Sequence, residues 1–277
     1  MPSSTAAAAT THAAAAAQTA TAATVSTMNA DVATLSLEQV MRALSLAHAA
    51  GLLDEYSQRA IARAESPTGL LDTLMREQLR HQTEARARLA LRRSSIFPLT
   101  SLATYDFDYP QQIDRELCLR AATLAFLKEK TNIVFVGPSG VGKTHLANAL
   151  GQLACLQGHR VKFVVAADLV NHLVAAQARN ALARALTTWG AYELLLIDEL
   201  GYLSFDSRGA DLLYQVFNRR YQRGSTIVTT NLPFKEWGKL FSNAAAASAI
   251  ADRLVHKGLL IRISGKSRRS DQEVVQE

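Results

Sequence analysis

Large apolar side chains follow three regimes along the chain. From Met1 to about Thr34 there are almost none, because the segment is built from Ala, Thr and Ser. With so little surface to bury it cannot offset the entropy of ordering, so residues 1–34 read as a mobile tail. From Leu35 to Arg93 the spacing is helical. Leu35, Leu37, Val40, Met41, Leu44 and Leu52 make one apolar stripe. Gly51 is expected to end or bend that first helix, and Leu52–Ala64 to start a second. Ser66-Pro67-Thr68-Gly69 reads as a turn. A third helix follows with Leu70, Leu71, Leu74, Leu79 and Leu89 on its apolar side. Phe97-Pro98 breaks the pattern and closes a small helical domain at residues 35–97.

Beyond Pro98, in residues 98–277, short apolar runs alternate with helical stretches. Strands are expected at Ile133–Val136, Val161–Val165, Leu194–Ile197, Thr226–Thr230 and Leu259–Ile263. Helices are expected from Lys143 to Gln157, from Asp168 as cap to Trp189, from Ser207 to Arg223, and after Asn243. Alternation of this kind predicts an α/β domain with a parallel five-stranded sheet and helices on both faces. Ligands of such sheets bind at the carboxyl ends of the strands.

One of those ends carries Gly137-Pro138-Ser139-Gly140-Val141-Gly142-Lys143-Thr144, a complete G-x-x-x-x-G-K-[ST] loop between a buried strand and a helix. Its glycines let consecutive N–H groups face a phosphate chain. Lys143 brings a mobile positive charge to the β- and γ-phosphates, and Thr144 offers a hydroxyl to Mg²⁺. A second strand, Leu194-Leu195-Leu196-Ile197, ends in Asp198-Glu199. Asp198 is placed to hold Mg²⁺ and Glu199 to deprotonate an attacking water. A base beside the metal carboxylate favours hydrolysis of ATP over transfer to a small substrate. Asn231 closes the Thr226–Thr230 strand, where it either senses the γ-phosphate or forms an ordinary strand-ending turn with Leu232-Pro233. Arg253 lies on the helix after Asn243, either as a surface residue or as a finger reaching a neighbouring subunit's nucleotide.

Composition adds a second theme. Net charge is +6, and the basic residues comprise 22 Arg and 8 Lys. A GC-rich genome would enrich Ala and Arg together, but it does not explain where the arginines sit. The third helix carries Arg76, Arg80, Arg86, Arg88, Arg92 and Arg93 against Asp72, Glu77 and Glu84. Such a stripe suits DNA phosphates, with steep salt dependence and no sequence-reading module, and a solvated helix face is its rival. Arg219, Arg220 and Arg223 form a basic helix end, where DNA contact is a further possibility. Cys118 and Cys155 lack metal-ligand spacing and read as buried hydrophobes of a reduced, cytoplasmic protein. No apolar run is long enough to span a membrane, and the N-terminal tract lacks the basic start and Leu-rich centre of a signal peptide.

Together, Gly137–Thr144, Asp198-Glu199-Leu200-Gly201-Tyr202-Leu203, Thr229-Thr230-Asn231-Leu232-Pro233-Phe234, Trp237 and Asp252-Arg253-Leu254 resemble the IstB-like ATPases. These are AAA+ helpers of insertion-sequence transposition, related to the DnaC helicase loaders. The similarity runs from about Leu37 to Arg269. It implies a P-loop AAA+ domain in which Lys143 and Thr144 belong to Walker A and Asp198 and Glu199 to Walker B. Asn231 then takes the sensor 1 position and Arg253 the arginine-finger position. It also implies a homo-oligomer on duplex DNA, with ATP between subunits and a transposase as partner; a helicase loader is the alternative. The family's Gly-x-Ser-Tyr-Arg stretch is here Gly265-Lys266-Ser267-Arg268-Arg269, so either Arg269 or Arg268 would contact nucleotide, or both are solvated charges. Thr104–Tyr109 resembles the stretch that packs near adenine, and its aromatics could equally be core.

Overall fold

The computed structural model describes residues 33–109, 112–202, 204–241, 244–256 and 258–267. Residues 1–32 of the tail, and Arg268 and Arg269, lie outside the described residues. The chain divides into two compact units, Met1–Thr83 and Glu84–Glu277.

The first unit holds α1 (Leu37–Ala43), α2 (Ala47–Ala62) and the start of α3 (Pro67–Ser94). Ser36 caps α1 reciprocally: its hydroxyl accepts the Gln39 N–H, and Gln39 Oε1 accepts the Ser36 N–H at 2.8 Å. The helix break falls at Leu44–Leu46, with Ser45 left-handed at φ 62°, and Gly51 sits inside α2. The break moves because α3 supplies partners for it. Gln78, itself buried, accepts the Ala49 N–H at 2.8 Å, and Gln78 and Gln82 both donate to the Ser45 carbonyl. Likewise Pro67–Gly69 is not a free turn but the first turn of α3, with Ser66 Oγ accepting the Gly69 N–H at 3.1 Å. Met41, Ala49 and Ala50 form this unit's small core with Leu46, Leu53 and Met75. The expected apolar side of α3 is only partly inward: Leu74 is buried, while Leu71, Leu79 and Leu89 are exposed.

The division comes earlier than Phe97-Pro98, inside α3, because the end of that helix belongs to the second core. Ala90 and Leu91 pack against that core, and Ile96 is buried in it.

The second unit is built on a six-stranded sheet in the order β1-β6-β2-β5-β4-β3: β1 (Gln112–Ile113), β2 (Ile133–Val136), β3 (Val161–Val165), β4 (Leu194–Asp198), β5 (Ser225–Thr230) and β6 (Leu259–Ser264). The five expected strands are parallel, and the two-residue β1 adds an antiparallel edge. Side chains alternate between the faces with period two. Val134, Leu195, Ile197 and Val228 face one core, and Ile133, Phe135, Leu194, Leu196 and Ile227 face the other. Burial on both faces is why these strands read as unbroken apolar runs.

Helix α4 (Arg115–Ala122), α5 (Ala125–Glu129) and α6 (Lys143–Leu156) cover the second face. The first is covered by α7 (Ala166–Ala178), α8 (Leu182–Gly190), α9 (Ser207–Arg220), α10 (Trp237–Leu240) and α11 (Ala244–Val255). The single helix expected from Asp168 to Trp189 is two helices, divided at Asn180 with φ 55°, and Asp168 lies within the first turn rather than at the cap. β5 lies between β2 and β4, so the strand ending at Asn231 runs between the two strands that carry the loop and the carboxylates.

Among the described residues no helix is long and apolar enough to cross a membrane. Cys118 and Cys155 are free and buried. Burial pushes their thiols up to about 12 and about 11, so both behave as small hydrophobes.

Candidate nucleotide site

The loop leaves β2 at Val136 and enters α6 at Lys143. Gly142, at φ 92°, is the residue before the helix, and α6 has no side-chain cap there. Its first N–H groups are thus available to an anion, as in other helix N-termini that bind phosphate. A β-carbon on Gly142 would lie 2.7 Å from the Tyr105 ring, so this position requires glycine for space as well as for its backbone.

Lys143 is buried and donates from Nζ to the carbonyls of Gly137 at 2.8 Å and Pro138 at 2.5 Å. Thr144 Oγ1 lies 2.9 and 3.0 Å from the two oxygens of Asp198, which is 5% exposed. The structure thus joins the loop to the end of β4. Ser139, Gly140, Gly142, Lys143, Thr144 and Glu199 share one open cleft of about 180 Å³ with His145, Tyr202 and Thr229. Glu199 is exposed at its rim with a left-handed backbone at φ 60°. Uncapped N–H groups, a lysine and a glycine cradle fit a triphosphate. One hydroxyl and one carboxylate fit Mg²⁺, a hard cation that takes few protein oxygens and fills its shell from phosphate and water. Among the described residues no cluster of three His, Cys, Asp or Glu offers a fuller metal cage.

Beside the cleft a smaller recess is lined by Tyr105, Asp106, Tyr109, Gly140, Val141, Gly142 and His145. Tyr105 Oη donates to the Val141 carbonyl at 3.2 Å and meets Phe107 and His145 edge-on. The Thr104–Tyr109 segment therefore packs directly on the loop. His145 Nε2 lies 3.0 Å from the Ser101 carbonyl, a structural contact.

The other sequence candidates are more dispersed. Asn231 does not line the cleft; its Oδ1 is enclosed without a hydrogen-bond partner, and a β-carbon on Gly201 would lie 2.7 Å from it. Arg253 lies away from its own chain's cleft. Its guanidinium donates to Asn218 Oδ1, the Ala249 carbonyl and Tyr214 Oη at 3.0–3.2 Å, and stacks 4.7 Å from the Tyr214 ring centre.

Arg220 is unavailable to DNA. It is 1% exposed, donating to Thr226 Oγ1 and to the carbonyls of Trp189, Tyr192 and Ser225, and desolvation lowers its pKa to about 10. On α3, Arg76 and Arg80 are paired with Asp72 and Glu77. Arg86, Arg88, Arg92 and Arg93 are exposed and have no ion pair among the described residues.

A profile of the family described as IstB-like ATP binding protein matches residues 39–275. The chain belongs to that family. It is 41% identical over 165 residues to the ATP-binding protein of insertion sequence IS232 from Bacillus thuringiensis subsp. berliner, covering 60% of this chain and 66% of that one, just under two thirds. It is 36% identical over 197 residues to the counterpart of IS5376 in Geobacillus stearothermophilus, covering 71% and 78%. Among solved structures, AMPPCP-bound DnaA from Aquifex aeolicus is similar at a TM-score of 0.51 and 21% identity, over 61% of this chain and 51% of that one. That likeness shows that this IstB-like protein shares the fold of the nucleotide-bound neighbour over the aligned part of the chain.

Three cleft residues carry no site role in the sequence reading, His145, Tyr202 and Thr229, although the last two lie within the quoted motifs. For Thr229 a signal existed: the pair Thr229-Thr230 puts two hydroxyls at the carboxyl end of a strand that is buried throughout.

Proposed function

We propose that this IstB-like protein is an ATPase that assembles on duplex DNA, with ATP between subunits, and assists the transposase of an insertion sequence. The observation that carries the reading is Glu199 on the cleft rim, next in the chain to the Asp198 that Thr144 holds. The insertion-sequence setting comes from the named relatives.

The geometry supports the following roles in this reading. The α6 N-terminus and Lys143 bind and orient the triphosphate, Lys143 exchanging two neutral carbonyls for charged phosphate oxygens. Thr144 and Asp198 would hold Mg²⁺, which when bound would withdraw charge from the transferring phosphate. Glu199 takes the proton of the attacking water. Arg253, held off its own cleft on α9 and α11, serves the nucleotide of a neighbouring subunit. Asn231 signals the state of the γ-phosphate through the Gly201 turn. Arg86, Arg88, Arg92 and Arg93 contact DNA phosphates.

Mixing Arg253→Ala with Lys143→Ala subunits tests the shared site. Each variant alone should be inactive in ATP hydrolysis on duplex DNA, and the mixture should recover part of the activity. Wild-type turnover by Arg253→Ala alone removes the finger. Stimulation of an insertion-sequence transposase supports the transposition role; preference for single strands together with capture of a replicative helicase would replace it with helicase loading.

A further inference from the structure

Thr229 lies on β5, where it is 2% exposed, beside the end of β4. In the parallel register Ile197 faces Val228, so the residues that follow, Asp198 and Thr229, come side by side. The Thr229 hydroxyl donates to Asp198 Oδ1 at 2.5 Å and accepts the Glu199 N–H at 3.0 Å. Its main-chain carbonyl accepts the Leu200 N–H at 2.9 Å. One residue therefore grips three successive positions of the carboxylate turn. The middle one, Glu199, has the left-handed backbone that a β-carbon disfavours. Such a conformation persists only where its surroundings over-determine it, and here Thr229 supplies the bonds that do so.

We infer that Thr229 is a positioning residue for hydrolysis: its hydroxyl fixes the Asp198 carboxylate and the backbone carrying Glu199 in one geometry. The inference rests on the hydrolytic reading of the cleft and adds a residue to it. Thr144 and Thr229 hold the Asp198 carboxylate from two sides, one from the phosphate loop and one from the sheet. Because Asn231 follows two residues later in the chain, a displacement of the end of β5 at Asn231 would reach both carboxylates through Thr229.

Replacing Thr229 by Val keeps shape and volume but removes both the donor and the acceptor. In the full chain with Mg²⁺, ATP and duplex DNA, Thr229→Val should lower kcat about 10- to 100-fold, the usual effect of losing a partner that orients a ligand. Binding of a fluorescent ATP analogue should change less than about threefold, and the Mg²⁺ concentration for half-maximal turnover should rise. Thr229→Ser, which keeps the hydroxyl, should recover most of the rate. Unchanged kcat in Thr229→Val would overturn the inference, as would a Ser variant as slow as the Val variant or equal losses in kcat and ATP binding. Should the Val variant fail to fold, the same comparison is made between Thr229→Ala and Thr229→Ser, with Tm as the control for packing. Glu199→Gln separates the two levels. If it turns over ATP like wild type, the hydrolytic reading fails; if it is inactive while Thr229→Val is not, only the role of Thr229 fails.

Discussion

The nucleotide cleft and the basic end of α3 belong to the same compact unit, yet they hold charge in opposite ways. In the cleft, Lys143 is buried against two carbonyls and Asp198 against two threonine hydroxyls. On α3, Ala87, Ala90, Leu91 and Ser94 turn inward, and the arginines flank that face. By helical spacing Arg86 and Arg93 fall together on one side, and Arg88 and Arg92 on the other. Earlier on the helix, Arg76 and Arg80 are already paired with Asp72 and Glu77. The difference separates two kinds of work. Fixed partners give the precision needed to orient a reacting phosphate. Unpaired, solvated guanidiniums suit a polyanion whose position along the surface varies, at little desolvation cost.

The largest effect expected is on the ordered side of this comparison. Glu199→Gln should lower kcat about 10²- to 10⁴-fold, the range for loss of a general base. ATP should still bind, because the loop and Lys143 are untouched. Single-turnover hydrolysis together with equilibrium nucleotide binding checks both halves. Weakened ATP binding would mean that Glu199 supports the loop rather than the chemistry.

The open side should respond in salt dependence rather than in chemistry. Replacing Arg86, Arg88, Arg92 and Arg93 by Ala should weaken duplex binding, and the slope of log K against log salt should shrink by about 0.9 for each phosphate no longer neutralised. Replacing Arg76 and Arg80 should change that slope less, since their charges are already offset. Equal effects from the two sets would erase the distinction between the halves of α3. The division at Thr83 also leaves Arg86, Arg88, Arg92 and Arg93 in the unit that holds the nucleotide cleft, so on the proposed reading removing residues 33–83 should leave much of the DNA binding in place.

What could be read in the sequence follows the same divide between local and assembled features. The five parallel strands were legible because burial on both faces leaves continuous apolar runs, and the phosphate loop because its spacing is local. Gly51 misled, since the bond that keeps it inside α2 comes from Gln78, far along the chain. The adjacent residues Arg219 and Arg220 looked alike, and only the tertiary structure sends one into the core. Thr229 became a partner of Asp198 through the register of β4 against β5, which no single strand carries.

A smaller effect tests whether Asn231 communicates with the cleft. Gly201 has φ 120°, and a β-carbon there would meet Asn231 Oδ1 at 2.7 Å and Thr230 Oγ1 at 3.0 Å. Gly201→Ala should cost about 1–3 kcal/mol of stability. It should also reduce kcat while leaving the Arg86–Arg93 salt slope unchanged. Normal turnover in a folded Gly201→Ala protein would separate Asn231 from the chemistry.

The smallest effect is a control on the contrast between cleft and surface. Cys155 shares its surroundings with Ser94 at the end of α3, and burial raises its thiol to about 11. Alkylation at pH 8 should therefore be slow in the folded protein and fast in denaturant. The linkage has a definite sign: the folded thiol keeps its proton after the unfolded one has lost it. Its contribution to stability is thus complete below about pH 9 and is lost as pH rises toward about 11. In the protein lacking Arg86, Arg88, Arg92 and Arg93, slow alkylation would show that the end of α3 is still packed on the core of the second unit. Weakened DNA binding then reports the missing charge. Fast alkylation would instead assign the weakening to an undocked helix, and the contrast between the cleft and the basic surface would have to be redrawn around packing.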